Sequence, residues 1–151
     1  MKINIIQATT DHTGLIAPLF DAYRQFYEQP TNPDLARAYI HDRLSKNECT
    51  IFLALNANKE ALGFTLLYPG FCSVAAKNIW VLYDLFVTPQ ARRTGIARAL
   101  MNRAKELGVA TASAWLKLET AHTNIAGQTL YESQGWEKDD EFRTYFLSLN
   151  E

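Results

Sequence analysis

"DLFVTPQARRTGIARALM", Asp84 to Met101, begins as an apolar strand, turns at Pro89, and sets Arg92 and Arg93 ahead of Gly95 at the mouth of a helix. Cations normally suit the other end of a helix, because the dipole and the unpaired amides of the first turn already attract negative charge. Arginines at the positive end therefore anticipate an anion. A strand that turns directly into a helix aims several N–H groups at one point, which is the physical basis of diphosphate binding. Gly95 lets the backbone approach a ligand closely, small Ala97 avoids crowding it, and Arg92 or Arg93 can add charge-assisted bonds to phosphate oxygens. There is no glycine-rich run ending in Lys-Ser or Lys-Thr, and there are no three spaced glycines, which argues against a nucleoside triphosphate or a nicotinamide cofactor.

Beyond Gly95, the apolar positions Ile96, Leu100, Ala104 and Leu107 share one helical stripe, and Gly108 is placed to close the helix in the left-handed conformation. Upstream, "CTIFLALNA", "ALGFTLLYPGF" and "KNIWVLYDLFVT" are rich in β-branched and aromatic residues and predict a three-strand meander, its first turn at "NANKE". "KINIIQA" predicts an opening strand. Thr9, Thr10 and Asp11 offer caps for a helix through "LIAPLFDAYRQFYEQ", in which Pro18 implies a start near Gly14 or a kink. Asn32 before Pro33 predicts a second helix, "NPDLARAYIHDRLSKN". "TASAWLKLET" reads as a strand, "NIAGQTLYESQG" as a helix capped by Asn124 and stopped by Gly135, and "FRTYFLSL" as a terminal strand. The order is that of an α/β (α+β) domain with one mixed sheet.

A chain of 151 residues is expected to form a single domain spanning 1–151. Its residues are 48% hydrophobic and 21% charged, and a net charge of −1 excludes the basic excess of general nucleic-acid binding, so any anion site is local. Cys49 and Cys72 lack metal-like spacing, and His12, His41 and His122 are scattered, so no metal site is expected. The amino-terminal "MKINIIQATT" lacks signal-peptide character, which with the cysteine usage predicts a cytoplasmic setting. No run of about 18 apolar residues is present, so no membrane span is expected.

"RRTGIARALM" resembles the arginine-or-glutamine, two residues, glycine, one residue, glycine-or-alanine pattern of the Gcn5-related N-acetyltransferases (GNAT). It has the right company: "LFV" precedes it on a strand, and "NIAGQTLYESQGW" follows about thirty residues later, similar to the family's asparagine, apolar helix, leucine-tyrosine, glycine-aromatic signature. The resemblance covers nearly the whole chain and implies a mixed, mostly antiparallel sheet of about six to seven strands flanked by about four helices. Acetyl-coenzyme A is the cofactor it implies. Leu85, Phe86 and Val87 would give backbone groups to the pantetheine arm along a bulged strand that splays from its neighbour, one amide polarising the thioester carbonyl. Arg92, Arg93, Thr94, Gly95, Ile96, Ala97 and Arg98 would hold the pyrophosphate, with Asn124 contacting coenzyme A near the later helix.

By the same resemblance Tyr131 would be the general acid that protonates the departing thiolate. The acceptor is then a small-molecule or peptide amine that attacks the thioester directly, its proton going to a carboxylate, a water chain or the medium; Asp84, Glu119 and Glu28 are the candidates, in that order. "AYRQFYEQP" and "YDLFV" are most similar to the polyamine (diamine) acetyltransferase branch, which makes Tyr27, Glu28, Tyr83 and Glu119 substrate-binding candidates. At Tyr83 the chain departs from that branch, where a glutamate is usual. A non-catalytic acyl-coenzyme A sensor, or an enzyme acetylating a protein amino terminus or a ribosomal protein, are the other readings. Family members are often dimers, and "FRTYFLSL" offers an edge for a homodimer.

Overall fold

Asn32 caps the second helix where its position predicts, whereas Thr9 caps a 3₁₀ turn ahead of the first helix, which has no side-chain cap of its own. A computed structural model describes residues 2–150. Strand β1 (Asn4–Gln7) leads into a single 3₁₀ turn capped by Thr9 and His12, and α1 (Thr13–Phe26) follows. Pro18 falls in the second turn of α1, where it removes the bond that a backbone N–H would give to the Gly14 carbonyl. Helix α2 (Pro33–Ser45) starts with the Asn32 side chain accepting from the Leu35 amide at 3.1 Å. Strands β2 (Thr50–Leu55), β3 (Ala61–Cys72) and β4 (Lys77–Val87) form the meander, and the Asn56 side chain organises the first turn by accepting from the Asn58 and Glu60 amides. Then come α3 (Ile96–Ala110), the two-residue β5 (Leu116–Lys117) and α4 (Ile125–Ser133).

The strands lie in the order β1-β2-β3-β4-β5, every neighbouring pair antiparallel except the parallel β4 and β5. This is the α/β architecture expected, with five strands among the described residues instead of six or seven. "FRTYFLSL" forms no strand: Phe142, Tyr145, Phe146, Leu147 and Leu149 are exposed and outside the ladder. The chain divides into two compact units, residues 2–119 with the sheet and residues 120–150 with α4.

Side chains alternate across each strand, so the sheet buries both faces. On one face Ile51, Leu53, Phe64, Leu66 and Phe86 join Ile16 and Phe20 of α1 and Ala36 and Ile40 of α2 in one cluster. Toward the other, Ile96, Leu100, Met101 and Ala104 of α3 are buried, and Arg103 lies 4.8 Å over the Phe52 ring. Full burial of each such Leu, Ile or Phe is worth about 1.5–3 kcal/mol.

Gly108 does not end α3, which runs on to Ala110. It is buried, and a Cβ there would collide with Leu116 Cδ1, so this glycine permits close packing of α3 on β5. Gly135 does take the left-handed form, at φ 90°, just after α4. Gly63, opposite Val87, is tight against main chain, since a Cβ there would meet the Phe86 carbonyl oxygen at 2.7 Å. Gly63→Ala is expected to destabilise the protein by about 1–3 kcal/mol through overpacking of β3 on β4, measured by urea denaturation.

Candidate active site

The site is built around a slip in the β3/β4 ladder. Leu66 pairs with Asp84 and Leu67 with Leu82, which leaves Tyr83 as the extra residue of a β-bulge. Because side chains alternate with period two, one inserted residue reverses the facing of everything beyond it. Tyr83 thereby turns Asp84 and Phe86 to the face of their partners Leu66 and Phe64, under α1 and α2.

The same slip fixes the main chain. In an antiparallel ladder, successive residues turn their N–H and C=O groups to alternate sides. The Thr88 amide donates to the Leu62 carbonyl at 2.9 Å, so Phe86, two residues away, also faces β3, and Leu85 and Val87 face the opposite edge. The Arg92 Nε donates to the Val87 carbonyl from that edge at 2.9 Å, in agreement. Strand β5 pairs only with Trp80 and Val81, so from Leu82 onward this edge has no strand partner among the described residues. The splayed strand pair is thus present, and it offers two residues to a ligand, Leu85 and Val87; Phe86 is spent on β3 and on the core.

From Val87 the chain passes through a 3₁₀ turn at Pro89–Ala91 to the loop Arg92–Gly95. Arg93 and Gly95 are left-handed, at φ 65° and 86°. For an arginine that conformation costs about 1–2 kcal/mol, and such strain concentrates at ligand clamps. Thr94 Oγ1 donates to the Ala91 carbonyl at 2.5 Å and holds the turn. No side chain caps α3, and among the described residues no atom beyond its immediate chain neighbours lies within 4 Å of where a Cβ on Gly95 would stand. Buried Ile96 anchors the helix start in the core, while Ala97 is half-buried and Arg93 and Arg98 are exposed. Arg92 is turned back on β4, its guanidinium 5.6 Å over the Phe86 ring, so Arg92 braces the loop against the strand.

Asp84 is buried and opens on a cavity of about 410 Å³. Tyr23, Arg24, Tyr27 and Gln29 line it from α1 and its end, Tyr39 from α2, and Tyr68, Tyr83 and Glu119 from the sheet side. Burial raises the Asp84 carboxyl to about 6, opposed in part by a hydrogen bond from the Tyr23 hydroxyl. Tyr23 is itself pushed above the ordinary phenol value, first by burial and then by the Asp84 charge. The Tyr39 and Tyr68 hydroxyls hydrogen-bond across the cavity wall. Tyr27 is exposed at the end of α1, its ring edge-on to Tyr23 at 5.1 Å. Tyr83 packs edge-on to Tyr68 at 5.4 Å.

Of the predicted residues, Asp84, Tyr27, Tyr83 and Glu119 therefore meet at one cavity. Glu28 does not line it; left-handed at φ 64° and exposed, it turns the chain, and the neighbouring Gln29 takes its place. Tyr39, Tyr68 and Arg24 were missed because tyrosines and arginines at helical and strand spacing look like packing and surface. Burial pushes the Cys49 thiol up to about 11, so it is no nucleophile near neutrality. Among the described residues no group of three His, Cys, Asp or Glu could hold a metal, and no helix is long and apolar enough to cross a membrane.

In the second unit Asn124 caps α4: its Oδ1 accepts from the Gly127 amide at 3.1 Å and its Nδ2 donates to Thr120 Oγ1 at 2.9 Å. Both ends of that amide serve the helix start. Tyr131 lies on α4, half-buried, its ring centroid 6.5 Å from that of Trp136.

Comparison with known proteins adds the class. The sequence model described as the acetyltransferase (GNAT) family matches residues 16–136. The chain is 42% identical to the uncharacterized N-acetyltransferase YhfO of Bacillus subtilis (strain 168) over 97% of this chain and 98% of that one. It is 35% identical to a probable acetyltransferase of Haemophilus influenzae, over 98% and 99% of the two chains. A crystal structure of a probable acetyltransferase superposes with a TM-score of 0.93 at 38% identity, covering 98% of this chain and 99% of the other. The chain belongs to the GNAT acetyltransferase family, enzymes that take an acetyl group from acetyl-coenzyme A. The residues fit that donor: the edge at Leu85 and the Val87 amide, which no strand pairs among the described residues, suits an extended arm, and the Gly95 loop at an uncapped helix start suits a diphosphate.

Burial of Asp84 has a measurable cost. Its native pKa lies above the ordinary carboxylate value, so between about pH 4 and pH 6 the native state binds more protons than the unfolded state. Stability from this group therefore falls as pH rises through that window. The loss totals about 3 kcal/mol and is complete above it. Asp84→Asn removes the ionisation: its stability relative to wild type is expected to rise between pH 4 and pH 7, read from urea denaturation at both values.

Proposed function

We propose that the chain moves an acetyl group from acetyl-coenzyme A to a small primary amine held in the tyrosine-lined cavity, with Asp84 as the base. The observation that carries this reading is a buried carboxyl, poised near neutrality, one residue away from the partnerless strand edge. Bound acetyl-coenzyme A supplies an electrophilic thioester carbonyl and a thiolate leaving group. The Leu85 and Val87 main chain holds the arm and orients the carbonyl, and residues 93–98 hold the diphosphate. Asp84, ionised above about pH 6, takes a proton from the incoming ammonium, and the freed nitrogen bonds to the acetyl carbon. As the C–S bond breaks, Tyr131 would donate its phenolic proton to the sulfur, and the second proton that the nitrogen loses on becoming an amide would restore the phenol through solvent; the place of Tyr131 in the "LYESQGW" motif supports that role.

The aromatic walls favour an ammonium through the faces of their rings, which supports a small amine over a bulky peptide. A single acetyltransferase domain over 1–151, a cytoplasmic setting and a homodimer belong to the same proposal, and fractionation and sedimentation test the last two. Thiol release measured with a panel of amines, lysine peptides and ribosomal proteins tests the acceptor. Stabilisation by coenzyme A with no thiol released would favour a sensor instead.

The rate is expected to rise with pH through an apparent pKa of about 6 in kcat/KM. The Tyr23 hydrogen bond lowers the Asp84 pKa, so Tyr23→Phe moves this limb to higher pH; a limb that stays put, or moves down, removes Asp84 as the base. Tyr131→Phe is expected to lower kcat by about 10²-fold or more while coenzyme A affinity changes little. Turnover equal to wild type would remove Tyr131 from its role.

A further inference from the structure

The cavity carries a positive charge that a purely cationic acceptor does not use. Arg24, on the last turn of α1, lines the cavity half-buried, one residue after the Tyr23 that bonds Asp84. It forms no ion pair within 4 Å among the described residues. The acid nearest to it in sequence, Asp21, feels its charge but hydrogen-bonds elsewhere: one oxygen accepts from Thr31 Oγ1 at 2.6 Å and Gln25 Nε2 at 3.2 Å, the other from the Asn32 amide at 2.8 Å. Those bonds tie the end of α1 to the start of α2, so Asp21 acts on Arg24 through its charge and leaves the guanidinium N–H groups without a carboxylate within 4 Å among the described residues. Gln29, whose own amide bonds the Arg24 carbonyl, adds a neutral donor to the same end of the cavity.

We infer that the acceptor is a primary amine that also bears a carboxylate, its ammonium directed to Asp84 and its carboxylate to the Arg24 guanidinium, with the tyrosine rings around its apolar body. A guanidinium matches a carboxylate with two parallel N–H bonds, and a half-buried one gains more from that pairing than a surface charge does. A diamine would instead bring its second ammonium into the same cavity as Arg24, with exposed Glu119 as the compensating acid. The cavity, at about 410 Å³, is of the size that encloses a small molecule. Tyr83 adds an uncharged aromatic side chain to the wall beside Asp84.

The inference rests on the acetyl-transfer reading, and the experiment separates the two. The intact protein is assayed for thiol release with acetyl-coenzyme A and pairs of amines that differ only by a carboxylate: phenylalanine against phenethylamine, methionine against 3-methylthiopropylamine, lysine against cadaverine. The readout is the ratio of kcat/KM within each pair, in wild type, Arg24→Gln and Arg24→Lys. Comparing one pair across proteins cancels the amines' own basicity. The expected result is a wild-type ratio favouring at least one carboxylated member, a fall in that ratio of about tenfold or more in Arg24→Gln, and partial recovery in Arg24→Lys. A thermal shift with acetyl-coenzyme A in each variant confirms folding and donor binding.

A wild-type preference for cadaverine and the other decarboxylated amines, or a ratio in Arg24→Gln within twofold of wild type, overturns the inference while leaving acetyl transfer in place. Stabilisation by acetyl-coenzyme A with no thiol release from any amine overturns the transfer reading and the inference with it.

Discussion

One inserted residue in β4 sets the geometry on which the site depends. The bulge at Tyr83 changes the parity of the strand, which puts the Asp84 side chain on the α1 face and turns the Leu85 and Val87 main chain to the edge that β5 leaves uncovered. A regular strand would send Asp84 to the α3 face and point the opposite set of amides outward. The acid and the ligand edge are therefore products of the same slip. The glycine at position 63, tight against the Phe86 carbonyl, keeps β3 close enough to β4 for this register.

Burial then tunes what the bulge has placed. An aspartate in water is ionised far below neutrality and is a weak base; enclosed between α1 and the sheet it loses hydration and its affinity for a proton rises. The Tyr23 hydroxyl limits that rise by stabilising the carboxylate. The stability surrendered near neutral pH is the physical counterpart of a group able to accept a proton from an amine. Around it the tyrosine pair Tyr39 and Tyr68, joined by their hydroxyls, form a wall that is apolar in body and polar at its tips.

Much of this was legible in the chain. Asn32 with Pro33, Asn56 in the first turn, Asn124 and Gly135 all did locally what their residue types do, because caps and turns involve only a few consecutive residues. The loop Arg92–Gly95 was legible for the same reason. Readings failed where the partner was distant in sequence. Gly108 looked like a helix end and serves contact with Leu116, and the cavity around Asp84 draws on Tyr23 and Arg24 some sixty residues earlier. "FRTYFLSL" alternates like a strand, yet alternation describes one strand and not the partner it needs.

The sequence by itself determined the class of protein: a strand, an arginine-glycine loop and a helix start form a local constellation of backbone donors, and its spacing to the later tyrosine helix is written in residue numbers. Only the tertiary structure decided which carboxylate is enclosed, which two amides face outward, and that Arg24 shares a cavity with Asp84. The reason is that burial, register and charge proximity are relations between segments far apart in the chain, as Phe20 and Glu119 on one cavity show, and no local pattern encodes them.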